Sequence, residues 1–330
     1  MALDSQTRAF LAGTSLSPAV PPECVTVELV RAAGEQYAGL ALPREEMHSV
    51  IDVTVPDTGG AGTEVRIYRP NAAKPLPVVV WLHGGAWVRL SVETLDNHVR
   101  AYASRTGCAI AAVSFTRAPE SRFPAQIEEI HAVATWLKHH ATEHGLDANA
   151  IAIAGESSGA NLAAAVTLLD RERQSVHFVL QVLLAPLLDA RFASVTWDEF
   201  GQGYAMGRGQ FEWALAHYAP GVDRTEPLLS PVHAESLAGL PPAHVVVGEY
   251  DPLRADGETY AARLRRDGVP AVLDVRAGMI HQAHIAPAPL DTGRAMVIDT
   301  AAAIREALLP TTASSEGPAT PEATRCWRSR

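Results

Sequence analysis

Apolar residues recur along this chain in two rhythms. Over 51–55 and 63–68 they alternate with polar ones on either side of a turn-rich stretch at 57–62, the period-2 pattern of an antiparallel hairpin. The runs 78–82, 109–113, 151–154, 179–184 and 245–247 are instead apolar at nearly every position. Such short, unbroken runs suit strands buried on both faces of a sheet. Between and after them, 94–105, 124–143, 159–172, 257–267 and 292–307 carry apolar residues at helical spacing. Strands alternating with helices predict a mostly parallel sheet with helices on both faces. Ligands of such a sheet bind beyond the carboxyl ends of the strands, so the loops there are where chemistry is expected.

Two stretches break the alternation. Residues 1–48 carry helix-like segments before any strand. Residues 187–232 lie between two core strands and hold Trp197, Phe200, Tyr204, Phe211, Trp213 and Tyr218. These aromatics read either as a lid over a pocket or as packing of the insertion onto the core, and their place beside the strand ends favours the lid. The expected core spans 49–186 and 233–309, with 1–48 and 187–232 outside it. The last stretch, 310–330, is rich in Ser, Thr, Pro and Ala. It has too little apolar surface to offset its ordering entropy, which predicts a flexible tail.

Composition narrows the function classes. With 27 basic and 37 acidic residues the net charge is −10, which disfavours non-specific nucleic-acid binding. No apolar run approaches the ~18 residues of a membrane-spanning helix. The N-terminal 13 residues lack a basic region followed by an apolar one, so no secretory leader is expected. Cys24, Cys108 and Cys326 form neither a CxxC nor a disulfide framework. The expectation is a cytoplasmic protein with no membrane span and no nucleic-acid partner.

Four motifs carry chemistry, each at an expected strand end. Gly155-Glu156-Ser157-Ser158-Gly159 follows the run 151–154 and opens a helical stretch. Glycines on both sides allow a sharp strand-to-helix turn that presents the Ser157 hydroxyl above the sheet, beside a helix N-terminus. The plainer reading of the same residues is a glycine-rich turn with a serine cap. His83-Gly84-Gly85-Ala86-Trp87 follows 78–82. Its unobstructed backbone N–H groups suit an oxyanion, with Gly84 and Gly85 as two donors and the Ser158 N–H as a third. His83 reads as a turn-stabilising residue. Asp251, in Gly248-Glu249-Tyr250-Asp251-Pro252-Leu253, is placed to orient a histidine. His281, in Gly278-Met279-Ile280-His281, is that histidine, expected in a loop after 271–276.

Other residues compete for these roles. Glu249 and Asp256 lie near Asp251, and His284 lies near His281. Asp256 is expected to cap a helix start. Glu156 reads as a hydrogen-bonded carboxylate supporting its neighbour. His139, His140 and His144 read as a solvated helix face rather than a metal site, because nothing in the sequence completes the ligand set. Arg117, Glu120 and Arg122 are expected to form structural ion pairs.

Taken together, the motifs resemble the hormone-sensitive-lipase-like branch of the α/β-hydrolase superfamily, the bacterial carboxylesterases and acetyl hydrolases. The resemblance runs from about residue 66 to 308. It rests on the HGG segment at 80–87, Ala118-Pro119-Glu120 with Arg122-Phe123-Pro124-Ala125, GESSG at 155–159, Leu229-Ser230-Pro231, the stretch 251–257, Tyr260-Ala261 and 278–281. It implies the α/β-hydrolase fold with a helical cap made of 1–48 and 187–232, a triad of Ser157, Asp251 and His281 in that chain order, and an oxyanion hole from Gly84, Gly85 and Ser158. It further implies cleavage of a small-molecule ester through an acyl-enzyme, with no metal or organic cofactor, and leaves a homodimer open.

The chain departs from the family pattern in several places. The third glycine of HGGG is Ala86. The usual Tyr-Arg-Leu reads Phe115-Thr116-Arg117, and the usual HGF reads His281-Gln282-Ala283. The last two changes border the site and point to an altered substrate preference. HGGAW also resembles the HGGXW of kynurenine formamidases. Amide hydrolysis (deacetylation or deformylation), acyl transfer, and ligand binding without catalysis are the alternative functions, although a pure binder has no need of an activated serine.

Overall fold

The alternating segments pair as expected. In the computed structural model, which describes residues 3–13, 24–56, 60 and 62–309, β1 (Ser49–Val55) and β2 (Thr63–Arg69) are antiparallel, with Ile51 opposite Ile67. Part of their connecting turn lies outside the described residues, as does the stretch 310–330 expected to be a tail. The apolar runs become β3 (Leu76–Leu82), β4 (Ala109–Val113), β5 (Leu146–Glu156), β6 (Gln181–Leu184) and β7 (Ala243–Tyr250), followed by β8 (Ala271–Ile280). They form one sheet in the order β1-β2-β4-β3-β5-β6-β7-β8, parallel from β4 onward.

Several boundaries differ from the sequence reading: β5 and β7 extend at both ends beyond the expected 151–154 and 245–247, and two further differences concern β6 and β8. The strand expected over 179–184 begins only at Gln181, although the Val179 N–H donates to the Ile151 carbonyl of β5 at 2.9 Å. The stretch Gly278-Met279-Ile280, expected in a loop, continues β8, with Ile280 paired to Tyr250. His281 therefore follows a strand directly, and its position is set by the sheet.

The helices divide between the two faces because strand side chains alternate. Val78, Val80 and Leu82 belong to one core, together with Ile127 and Val133 of α4 (Ala125–His140), Leu162 and Val166 of α5 (Ser158–Arg173), and Tyr260 and Leu264 of α8 (Arg254–Arg266). Val79 and Trp81 belong to the other, together with Val99 and Tyr102 of α3 (Asp96–Thr106) and Val297 and Ile304 of α9 (Asp291–Leu308). β3 is thus apolar throughout because each face meets its own helix layer. Among the described residues no helix is long and apolar enough to cross a membrane.

The stretches outside the alternation are helical. The N-terminal one forms α1 (Ser5–Gly13), α2 (Val27–Gly34) and a 3₁₀ turn over Glu35–Leu40. The insertion forms α6 (Val195–Phe200) and α7 (Arg208–Tyr218). Arg31 of α2 ties the first stretch to the core by pairing with Glu120 and donating to the Val88 and Ala118 carbonyls. In the insertion, Trp197, Phe211 and Tyr218 are buried, and Phe192, Trp197 and Phe211 pack ring to ring.

The chain leaves β3 toward β4 on one side and returns as β5 on the other. The loops after β3 and β5 therefore diverge at a topological switch point, where such sheets open a crevice. Gly159 lets the two loops meet: a Cβ there would lie 2.2 Å from the Leu82 carbonyl oxygen and 2.5 Å from that of His83. Because both obstacles are backbone, the clash cannot be relieved by a rotamer change. Gly159→Ala is expected to destabilise the fold by at least ~1–3 kcal/mol, the ordinary cost of overpacking a core. Urea unfolding checks this, and wild-type stability in the variant would contradict it.

Candidate active site

Strand β5 ends at Glu156 and helix α5 begins at Ser158, leaving Ser157 alone to make the turn. Its backbone is left-handed, with φ 54° and ψ −116°. That conformation costs a non-glycine residue on the order of 1–3 kcal/mol and persists only where the surroundings enforce it. Here the Ser157 N–H donates to the Leu184 carbonyl (2.8 Å), and the Ser157 carbonyl accepts from Asn161 (3.1 Å) and Leu187 (3.3 Å).

The turn brings the Ser157 hydroxyl 3.0 Å from His281 Nε2. On the opposite edge of the same imidazole, Nδ1 lies 2.8 Å from Asp251 Oδ2. The other Asp251 oxygen accepts from the Leu253 N–H at 2.8 Å, which fixes the carboxylate. All three side chains are buried. A carboxylate beside Nδ1 favours the tautomer with its proton there, leaving the Nε2 lone pair to accept from the serine O–H. Residues 94 and 30 positions apart in sequence thus meet through the ends of β5, β7 and β8.

The loop after β3 lies against this turn. A Cβ at Gly84 would touch the Glu156 carbonyl (3.0 Å) and Ser157 Cβ (3.4 Å), so the bare glycine backbone adjoins the serine. Among the described residues the N–H groups of Gly84, Gly85 and Ser158 donate to no protein acceptor. The loop is held by the Trp87 N–H donating to Ser158 Oγ (3.1 Å), by the Trp87 indole donating to Asn161 (3.2 Å), and by stacking of Trp87 on Tyr218. Ala86, where the family carries its third glycine, is left-handed at φ 52°. The local turn that favours glycine is therefore present although the residue is alanine.

The competing residues have structural partners. Asp256 accepts from the Leu188 and Asp189 N–H groups at 3.0 and 3.1 Å. It fixes the loop after β6 instead of capping its own helix, a correction to the sequence reading. Glu249 accepts from the Gly278 N–H at 2.8 Å. Glu156 lies 2.5 Å from His98 Nε2 with both side chains fully buried, joining the turn to α3. Glu120 pairs with Arg31 as an ion pair, whereas Arg117 donates to the Leu90 carbonyl, so only the first fits the ion-pair expectation.

Several residues at the site carried no motif. A small cavity beside Ser157 and His281 is lined in part by Tyr37, Arg89, Leu90, Met206, Gln282 and His284. Tyr37 comes from the N-terminal stretch and Met206 from the insertion, and Phe211 of α7 meets the His281 ring edge-on. Gln282 left a trace in sequence as a departure from HGF, and His284 as a neighbour of His281.

Two further histidines support the backbone here. His83 Nδ1 donates to the Gly84 carbonyl (2.7 Å) and its ring stacks on Phe115. His284 Nδ1 donates to the His281 carbonyl. Burial lowers His83 to about 4 against the opposing pull of the Gly84 carbonyl. Burial, then the adjacent His281, lowers His284 to about 3. Both imidazoles are thus neutral in the fold while their unfolded counterparts take up protons below about 6.5. Acidification from pH 6.5 toward 4 then favours the unfolded chain, by up to ~1.4 kcal/mol per pH unit per histidine. Denaturant unfolding at stepped pH should show this slope, and His83→Asn should reduce it by up to ~1.4 kcal/mol per pH unit. An unchanged slope in the variant would contradict the assignment.

Comparison with known proteins agrees with this architecture. Residues 79–285 match a family described as having the alpha/beta hydrolase fold. The carboxylic ester hydrolase LipN of Mycobacterium tuberculosis is 33% identical over 73% of this chain and 66% of its own length. An arylesterase of Saccharolobus solfataricus is 31% identical over 85% of this chain and 92% of its own. A hyperthermophilic esterase from the archaeon Pyrobaculum calidifontis superposes with a TM-score of 0.87 at 34% identity, covering 93% of this chain and 99% of that one. The chain belongs to the α/β-hydrolase fold family, in the hormone-sensitive-lipase-like branch that its motifs resemble.

Proposed function

We propose that this protein hydrolyses small carboxylic esters through an acyl-enzyme on Ser157. The observation that carries the reading is the relay from Ser157 Oγ to His281 Nε2 (3.0 Å) and from His281 Nδ1 to Asp251 Oδ2 (2.8 Å). Relatives and structural neighbours named as esterases support the same reaction class.

In this mechanism His281 takes the Ser157 proton as Oγ attacks the ester carbonyl carbon. The carbonyl π electrons move onto oxygen, where the N–H groups of Gly84, Gly85 and Ser158 receive the charge. Their lack of protein acceptors leaves them available to an oxyanion, and one such donor is typically worth ~10²–10³ in rate. Collapse expels the alkoxide, which His281 protonates. Water then attacks the acyl-enzyme, with His281 again removing and returning a proton. Asp251 keeps the imidazole oriented and stabilises its charged form.

The N-terminal stretch and the insertion act as a cap in this reading. Tyr37 and Met206 wall the cavity and Phe211 packs on His281. The remaining aromatics of the insertion mostly pack, Phe200 and Tyr204 against Tyr250 and Trp213 against His217. The cavity beside Ser157 is small, which favours short acyl and alcohol groups.

Hydrolysis of p-nitrophenyl acetate through octanoate tests the proposal. Wild type should turn over the short members fastest. Ser157→Ala should lower kcat by ~10⁴-fold or more and Asp251→Asn by about 10⁴-fold, both with folding intact. Full activity in Ser157→Ala, or no turnover of any ester by folded wild type, would overturn it.

A further inference from the structure

Two residues that line the cavity beside Ser157 carry polar groups that the mechanism does not use. Gln282 immediately follows His281, is 1% exposed, and lines the same cavity as Ser157 and His281. Among the described residues neither its amide oxygen nor its amide nitrogen has a hydrogen-bond partner. Tyr37 lines the cavity as well, is fully buried, and its hydroxyl also lacks a partner. These two side chains belong to different parts of the chain, one from the N-terminal stretch and one from the turn after β8.

Buried polar groups are nearly always hydrogen-bonded, so an unpartnered carboxamide and phenol in the wall of one cavity require an explanation. An apolar residue would fill either position without the desolvation cost. Both kinds of group are on offer: the amide N–H₂ and the phenol O–H donate, and the amide oxygen accepts. Exchanging the O and N of the Gln282 amide changes nothing, since both atoms are unpartnered.

We propose that Gln282 and Tyr37 form a polar specificity pocket, and that the preferred substrate is a small ester bearing a neutral hydroxyl close to the scissile bond. This inference rests on the ester-hydrolase reading above. A hydroxyl both donates and accepts, so it can give its proton to Gln282 Oε1 while accepting from Gln282 Nε2 or the Tyr37 phenol. A plain alkyl group would leave every one of these unmet, and a carboxylate would leave the amide oxygen without a donor. Sites built to hydrogen-bond a substrate group discriminate strongly against the analogue that lacks it, because the site's own buried groups are then left unpaired.

The test uses pairs of equal size: ethyl 3-hydroxybutyrate against ethyl 3-methylbutyrate for the acyl side, and 2-hydroxyethyl butyrate against propyl butyrate for the alcohol side. The wild-type protein should favour the hydroxylated member of at least one pair by about tenfold or more in kcat/KM. Gln282→Leu should abolish or reverse that preference, raising the rate on the plain ester, and Tyr37→Phe should reduce it. Gln282→Leu should also melt at or above the wild-type temperature, because it removes an unpartnered buried amide, and this serves as the check on folding.

The same ratio read as Kd in the Ser157→Ala protein by calorimetry is independent of turnover. If neither ester is hydrolysed, the esterase reading fails while the binding ratio still decides the role of Gln282. Preference for the plain ester in wild type would overturn the proposal, as would a ratio unmoved by Gln282→Leu. Preference for monoethyl succinate over both members would overturn it in favour of an anion held at Arg89.

Discussion

The site depends on one backbone constraint: a serine held left-handed between a strand that must end and a helix that must begin. Nothing intrinsic to serine favours φ 54°, so the surroundings must supply the difference. They do so from both sides. The Leu184 carbonyl anchors the Ser157 N–H, and Gly159 permits the contact with the backbone of the β3 loop. The left-handed turn that presents the hydroxyl also brings the Gly84–Gly85 backbone against it. The Ser157 hydroxyl and the Gly84–Gly85 backbone are thus positioned by one packing event at the switch point of the sheet.

The rest of the site is arranged around neutral imidazoles. Three histidines lie at or next to the serine's loops, and burial keeps His83 and His284 uncharged while they support carbonyls of neighbouring residues. His281 alone faces a carboxylate across a hydrogen bond. A cation forming on it therefore has a partner, and one forming on either of the other two would not. Neutrality of the supporting pair keeps positive charge from accumulating beside the imidazole that accepts a proton in the proposed mechanism.

Much of this was legible in the sequence because it depends on local pattern. Runs apolar at every position mark strands buried on both faces, and the glycine-flanked serine and the Gly-Gly pair mark turns that few other residues allow. What was illegible depends on contacts distant in sequence. The extension of β8 to Ile280 follows from pairing with Tyr250, since a glycine within the stretch reads locally as a loop. Asp256 looks like a helix cap until the β6 loop is seen to donate to it. The link between Glu156 and His98, 58 positions apart, has no local signature, and neither does the meeting of Tyr37 with Gln282 at one cavity.

The most direct test of the account is the stoichiometry and location of covalent labelling by diethyl p-nitrophenyl phosphate, read by release of p-nitrophenol and by peptide mass spectrometry. The account predicts about one equivalent released per chain, a single diethylphosphoryl adduct on Ser157, and no adduct in His281→Ala under the same conditions. Labelling at another residue, or none on a folded wild-type protein, would contradict it.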